Sequence, residues 1–246
     1  MRNPNRETTF HFKQFDVVNS SSAMKVGTDG VLLGAWALAD MPADAPLALL
    51  DVGTGSGVIA LMLAQRFPSA KITGLDIDVE ACGEADGNFR HSPWYDRLDT
   101  VCGDFAASGA VASAFDAIVS NPPFFSEGQK APDIARSIAR HEGTLSLDTL
   151  LREAFHALRD GGRLSLVLPS EREQEVKYLS TVHGFTLSRL TFVGTVPRKP
   201  FRRILAELTK GVTSGACVES NMMIHESGGM FSREYTSLLK DFYLKF

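Results

Sequence analysis

From Leu47 onward, short apolar runs alternate with longer amphipathic segments, and that alternation restricts the chain to a small set of folds. Strands that recur with a helix between them cannot pair as hairpins, so they lie parallel in an α/β sheet with both faces covered. The apolar runs place strands at 47–52, 70–76, 98–102, 115–120, 163–168, 187–193 and 204–209. Helices are expected at 58–67, stopped by Pro68, at 79–90, at 147–160, closed by Gly161, and at 171–183, closed by Gly184. Upstream, Phe10, Phe12 and Phe15 suggest an edge element, and the apolar run 31–38 suggests a helix. No repeat or composition break divides the chain. One domain over 1–246 is expected, with an N-terminal extension at 1–46 and a C-terminal tail at 211–246.

A net charge of -4, with 44% hydrophobic and 22% charged residues, excludes a disordered chain and a strongly basic nucleic-acid binder. Any contact with nucleic acid must come from a local patch. Cys82, Cys102 and Cys217 form no CxxC pair, and the six histidines are scattered, so neither a disulfide framework nor a metal site is expected. Reduced thiols, a polar N-terminus and apolar runs well short of the roughly 18 residues of a membrane span fit a cytoplasmic protein.

The first strand runs directly into Asp51-Val52-Gly53-Thr54-Gly55-Ser56-Gly57 and then a helix. Alternate glycines permit a sharp turn and a close approach of backbone to ligand, whose groups would meet free amides at the helix start. The GxGxG spacing differs from the GxGxxG of most dinucleotide folds, and no Lys-Ser/Thr follows. A nucleoside site therefore fits better than a pyrophosphate site. Asp76 closes the second strand, where an acid can accept both ribose hydroxyls. Asp104, after the third strand, could take an adenine amino group, with Ile77 and Phe105 bracketing the ring. In order at successive strand ends, these residues resemble the S-adenosylmethionine site of class I methyltransferases. The resemblance implies a Rossmann-like, mostly parallel seven-stranded sheet flanked by helices, its last strand antiparallel, and S-adenosylmethionine as cofactor.

After the fourth strand comes Ser120-Asn121-Pro122-Pro123-Phe124. Two prolines end a strand abruptly and make a rigid loop at the same sheet edge. An aryl or amide nitrogen has its lone pair delocalised, and it becomes nucleophilic only as its geometry turns tetrahedral. The carboxamide oxygen of Asn121, which also borders the cofactor, and the carbonyl of Pro122 could accept both N–H bonds and aim the lone pair at a methyl group. Phe124 would stack on a flat substrate such as an unpaired base. Motif and spacing resemble the amino-methyltransferases of adenine N6, cytosine N4 and the glutamine amide.

Together with that motif, Met24-Lys25-Val26-Gly27-Thr28-Asp29-Gly30 and the C-terminal end from Glu234 to Phe246 resemble the bacterial tRNA adenine-N6 methyltransferases that modify the adenosine 3′ of the anticodon in valine tRNA. The likeness runs from Phe10 to Phe246 and implies a tRNA partner. Lys25 could face the cofactor's carboxylate; the other reading is a surface lysine before a helix capped by Thr28 or Asp29. The dense basic cluster Arg198-Lys199-Pro200-Phe201-Arg202-Arg203 suits an RNA backbone, with Arg198, Lys199, Arg202 and Arg203 as its phosphate partners, and Arg136 and Arg140 are secondary candidates.

The rival enzymes are an rRNA guanine or cytosine amino-methyltransferase and a protein glutamine N5-methyltransferase. The latter usually carries Asn-Pro-Pro-Tyr and a separate N-terminal helical domain, for which 46 residues leave no room. A dinucleotide oxidoreductase and an RNA-binding module without turnover complete the alternatives.

Overall fold

The computed structural model describes residues 9–20, 25–107, 112–123, 145–211 and 213–246. An eight-stranded sheet holds the chain together: β3 (Ala48–Val52), β4 (Lys71–Asp76), β5 (Leu98–Cys102), β6 (Phe115–Ser120), β7 (Leu158–Pro169), β8 (Phe185–Gly194), β9 (Arg203–Lys210) and β10 (Val218–Met223). Their spatial order is β10-β8-β9-β7-β6-β3-β4-β5. Every neighbouring pair is parallel except the two made by β9, which runs antiparallel to both β7 and β8. A separate two-stranded hairpin, β1 (Thr9–His11) and β2 (Asp16–Val18), precedes the sheet.

Among the described residues, six α-helices flank these strands: α1 (Thr28–Trp36), α2 (Val58–Arg66), α3 (Val79–Arg90), α4 (Leu147–Ala157), α5 (Glu173–Val182) and α6 (Arg233–Leu239). The expected seven strands are all present, and β9 is the antiparallel one. The eighth, β10, corrects the expected count. Its sequence VESNMM lacks an apolar alternation because it is an edge strand, exposed along most of its length. With α6 it also makes the C-terminal tail part of the domain.

Two further expectations fail for identifiable reasons. Helix α4 stops at Ala157 rather than running to Asp160, because Leu158 already pairs with Phe115 of β6. Gly161, at φ +73°, then serves an irregularity in β7, where residues 159–162 are passed over between the pairings Leu158↔Phe115 and Arg163↔Ala117. Helix α1 is capped by neither Thr28 nor Asp29. Its N-cap is Gly27, which gives no side-chain hydrogen bond.

Two apolar cores lie on the two faces of the sheet. Helix α1 is buried from Gly30 to Trp36, and it packs so closely on α2 that a Cβ on Gly34 would stand 2.8 Å from Met62 Sδ. The first core also takes in the aromatic residues of both chain ends: Phe12 pairs with Tyr243, and Lys13 Nζ donates to the carbonyls of Lys240 and Phe246. Beneath α1 a buried ionic cluster anchors the sheet, with Glu207 accepting from Arg163, Arg189, Ser165 and the Leu38 amide. Among the described residues no helix is long and apolar enough to cross a membrane.

Candidate active site

Strand register assembles the site. In the order β6-β3-β4-β5, Ser120 lies opposite Val52, Val52 opposite Leu75, and Asp76 opposite Cys102. The segments that follow these residues therefore emerge at one carboxyl edge: Asn121, the glycine loop, the turn after Asp76, and Asp104. This is where an open parallel sheet takes its ligands. The Ser120 hydroxyl fixes the junction further by donating to the Val52 carbonyl at 2.7 Å.

The glycine loop is held from beneath. The amides of Gly53 and Thr54 both donate to the Leu75 carbonyl, and Gly55 N–H donates to Asp76 Oδ2 at 2.8 Å. Gly53, Gly55 and Gly57 adopt φ of +71°, +57° and +82°, a region costly for any residue with a Cβ. Their surroundings differ. A Cβ on Gly53 or Gly55 would meet nothing within 4 Å, whereas one on Gly57 would stand 2.4 Å from Phe89 Cε1. The first two glycines thus face open space, and the third is a packing position at the start of α2.

Asp51 lies below the loop with no exposed surface. Its Oδ2 accepts from Thr54 Oγ1 at 2.8 Å and from the Ala60 amide at 3.2 Å, while Oδ1 is buried without a hydrogen-bond partner. Burial pushes its carboxyl up to about 7, the two hydrogen bonds opposing and the neighbouring Asp76 charge reinforcing that rise.

Asp76 is half-buried, with Oδ1 accepting from the Asp78 amide at 3.0 Å. Its carbonyl accepts from Gly103 N–H, which ties the second strand end to the segment bearing Asp104. Asp104 is half-buried and accepts from the Ala106 amide. Ile77 is 40% exposed at the rim, but Phe105 is only 2% exposed and packs in the second core. Asn121 is half-buried and Pro122 buried; Phe124, Arg136 and Arg140 lie outside the described residues.

Lys25 is exposed, and its ammonium donates to the carbonyls of Asn19 and Ser20. The basic cluster occupies the connection from β8 to β9, at the same carboxyl edge, since β8 runs parallel to β7. Arg198, Lys199 and Arg202 are exposed. Arg203 departs from expectation: its Nε donates to Asp29 Oδ2 at 2.7 Å, so its charge is committed to the first turn of α1. Sequence reasoning also missed Asn88, whose amide donates to the Ser56 carbonyl at 2.8 Å and joins α3, β2 and the glycine loop. No spacing signal marks such a residue.

The geometry fits a nucleoside cofactor: open space before two left-handed glycines, acids at successive strand ends, and an orphaned carboxylate oxygen beneath the loop. Comparison with known proteins agrees. Residues 33–186 match the family described as "Methyltransferase small domain". The chain is similar to a tRNA1(Val) (adenine(37)-N6)-methyltransferase of Porphyromonas gingivalis, 43% identical over 240 residues, covering 95% of this chain and 94% of the relative. One of the same name from Vibrio parahaemolyticus is 42% identical, with 96% and 95% covered. Among solved structures, a predicted O-methyltransferase from Agrobacterium tumefaciens shares the fold at a TM-score of 0.70 and 19% identity, covering 87% of this chain and 96% of its own.

Proposed function

We propose that this chain, which belongs to the family of the tRNA1(Val) (adenine(37)-N6)-methyltransferases within the methyltransferase small domain, methylates the exocyclic N6 of an adenine in tRNA. The adenosine 3′ of the anticodon in valine tRNA is the substrate its relatives' names support. The structural observation that carries the reading is the shared edge, where Ser120 and Val52 end adjacent strands and so set Asn121 beside Gly53.

In this reading the cofactor would be held by the Gly53, Thr54, Gly55 and Gly57 segment, by Asp76 at the ribose and by Asp104 at the adenine. Ile77 would cover the ring from the rim and Phe105 would support the pocket from the core, while Asp51 keeps the loop in shape. Lys25 would be the residue nearest the methionine carboxylate. S-adenosylmethionine supplies an electrophilic sulfonium methyl when bound.

The remaining work belongs to the chain. Asn121 accepts one N–H of the target amine through its side-chain oxygen, and the Pro122 carbonyl accepts the other. Two acceptors on one nitrogen draw its lone pair out of conjugation and fix its direction, which is catalysis by orientation. Phe124, outside the described residues, would offer its ring to the base. The methylated nitrogen is strongly acidic, so its extra proton passes to water and no strong general base is needed.

Incubation with a tRNA pool and a methyl-labelled donor, followed by nucleoside mass spectrometry, tests the assignment. Label is expected in N6-methyladenosine. Label on guanine, cytosine or a protein glutamine would replace it with one of the rival enzymes.

A further inference from the structure

Cys82 and Cys102 have no part in the methyl transfer, yet they stand together directly behind the acid assigned to the ribose. Cys82 sits in the first turn of α3, 7% exposed, with its Sγ 3.3 Å from the Asp76 carbonyl oxygen and 3.9 Å from that of Val101. Cys102 ends β5 as the strand partner of Asp76. Side chains alternate along a strand, so Leu98, Thr100 and Cys102 share one face of β5. Leu98 packs in the first core, to which α3 contributes Ala85 and Phe89, so that face is the one α3 covers. The Cys82 sulfur therefore lies over the peptide that joins Val101 to Cys102, on the side of β5 that Cys102 shares.

The two thiols differ in access. Cys102 is exposed, whereas burial, and after it the adjoining Cys102 thiol, push Cys82 up to about 12. An accessible cysteine beside a sheltered second one is the arrangement in which oxidation ends in a disulfide rather than in a higher acid of sulfur. Cys217 is no rival partner, because it precedes β10, at the opposite edge of the sheet from β5.

Asp76 connects the pair to the site. Its carbonyl accepts from Cys82 Sγ and from Gly103 N–H at 2.8 Å, and its carboxylate accepts from Gly55 N–H at 2.8 Å. A disulfide takes the Cys82 S–H donor away from that carbonyl and draws α3 toward the segment that carries Asp104.

We infer that Cys82 and Cys102 are an oxidation-sensitive dithiol that a hydroperoxide closes to a disulfide, weakening cofactor binding through Asp76. The Cys102 thiolate attacks the peroxide O–O bond, which gives a sulfenic acid and hydroxide. The Cys82 sulfur then displaces the sulfenic hydroxyl, which leaves with the Cys82 proton as water. Overall two thiols are oxidised, one peroxide is reduced to water, and a dithiol reductant reverses the closure. The effect on the cofactor rests on the methyl-donor reading; the closure itself does not.

Hydrogen peroxide treatment of the reduced wild type, Cys102→Ser and Cys217→Ser tests this, with remaining thiols alkylated, intact mass and a non-reducing peptide map recorded, and S-adenosylmethionine affinity measured by calorimetry. The wild type is expected to lose two hydrogens, to yield a peptide linked through Cys82 and Cys102, and to keep one of its three thiols free, that of Cys217. Its cofactor affinity is expected to fall about 2- to 10-fold, the worth of one hydrogen bond, and to recover with dithiothreitol. Cys217→Ser should respond in the same way, and Cys102→Ser should keep its affinity under peroxide. Absence of the linked peptide, with Cys102 carrying added oxygen or joined to a second molecule, overturns the dithiol. A disulfide that leaves affinity unchanged overturns its control of the site. If the linked peptide forms but the reduced protein takes up no S-adenosylmethionine, the dithiol is upheld and the methyl-donor reading, with the control drawn from it, is overturned.

Discussion

Ser120 Oγ donates to the Val52 carbonyl at 2.7 Å, fastening the strand that ends in Asn-Pro-Pro to the strand that ends in the glycine loop. Both strands leave the sheet one residue later, so this bond sets the offset between the amine clamp and the cofactor loop. Without the hydroxyl, the buried carbonyl loses this partner, at a cost of about 1–3 kcal/mol. Ser120→Ala is expected to lower kcat about tenfold while the cofactor Kd stays within about twofold. Ser120→Thr, which keeps the donor, should restore kcat; calorimetry and steady-state kinetics on the three proteins check this.

The glycines separate by environment. Gly57→Ala combines a left-handed backbone cost of about 1–2 kcal/mol with overpacking against Phe89 of about 1–3 kcal/mol. Gly53→Ala carries the backbone cost alone, because its Cβ meets nothing. Thermal melts should show Gly57→Ala losing about twice as many degrees. Gly53→Ala should instead show weakened cofactor binding in calorimetry, since its methyl enters the space the nucleoside needs.

Asp51 makes the free protein pH-sensitive. Its folded value of about 7 lies above the ordinary 3.8, so the folded state holds a proton that the unfolded state releases between those values. The stabilisation from the neutral carboxyl is full below pH about 4 and is lost as pH rises through about 7. The Tm of the wild type relative to Asp51→Asn should therefore fall between pH 5 and pH 8. A constant difference across that range would show Asp51 to be ionised throughout.

The committed charge of Arg203 separates it from its neighbours. Arg202→Glu should weaken tRNA binding and reduce the salt slope by about 1 or more. Arg203→Gln should leave the slope nearly intact, because its guanidinium faces Asp29 at 2.7 Å rather than a phosphate. In an Asp29→Asn background the additional stability loss from Arg203→Gln should shrink, which a double-mutant cycle in urea would measure.

Much of this architecture was readable from local signals. Leu98–Cys102, Phe115–Ser120 and Val79–Arg90 have their expected bounds because apolar period and flanking Gly, Asp or Pro agree there. The sequence of site segments followed as well, since each lies just past a strand. Tertiary context decided the rest. Leu158 joins a strand because Phe115 is there to pair with it, and Val218–Met223 becomes a strand only through β8. Phe105 turned inward to the core, and Arg203 found Asp29 across 174 residues. No window of sequence contains those partners.

The clamp on the target nitrogen is tested most directly by Asn121→Ala, assayed with valine tRNA in single-turnover methyl transfer and with the cofactor alone by calorimetry. Transfer is expected to fall by a factor of at least about 100, two or more times the roughly 1.4 kcal/mol that each tenfold change represents, with cofactor affinity nearly that of the wild type. Methyl transfer at the wild-type rate would contradict it.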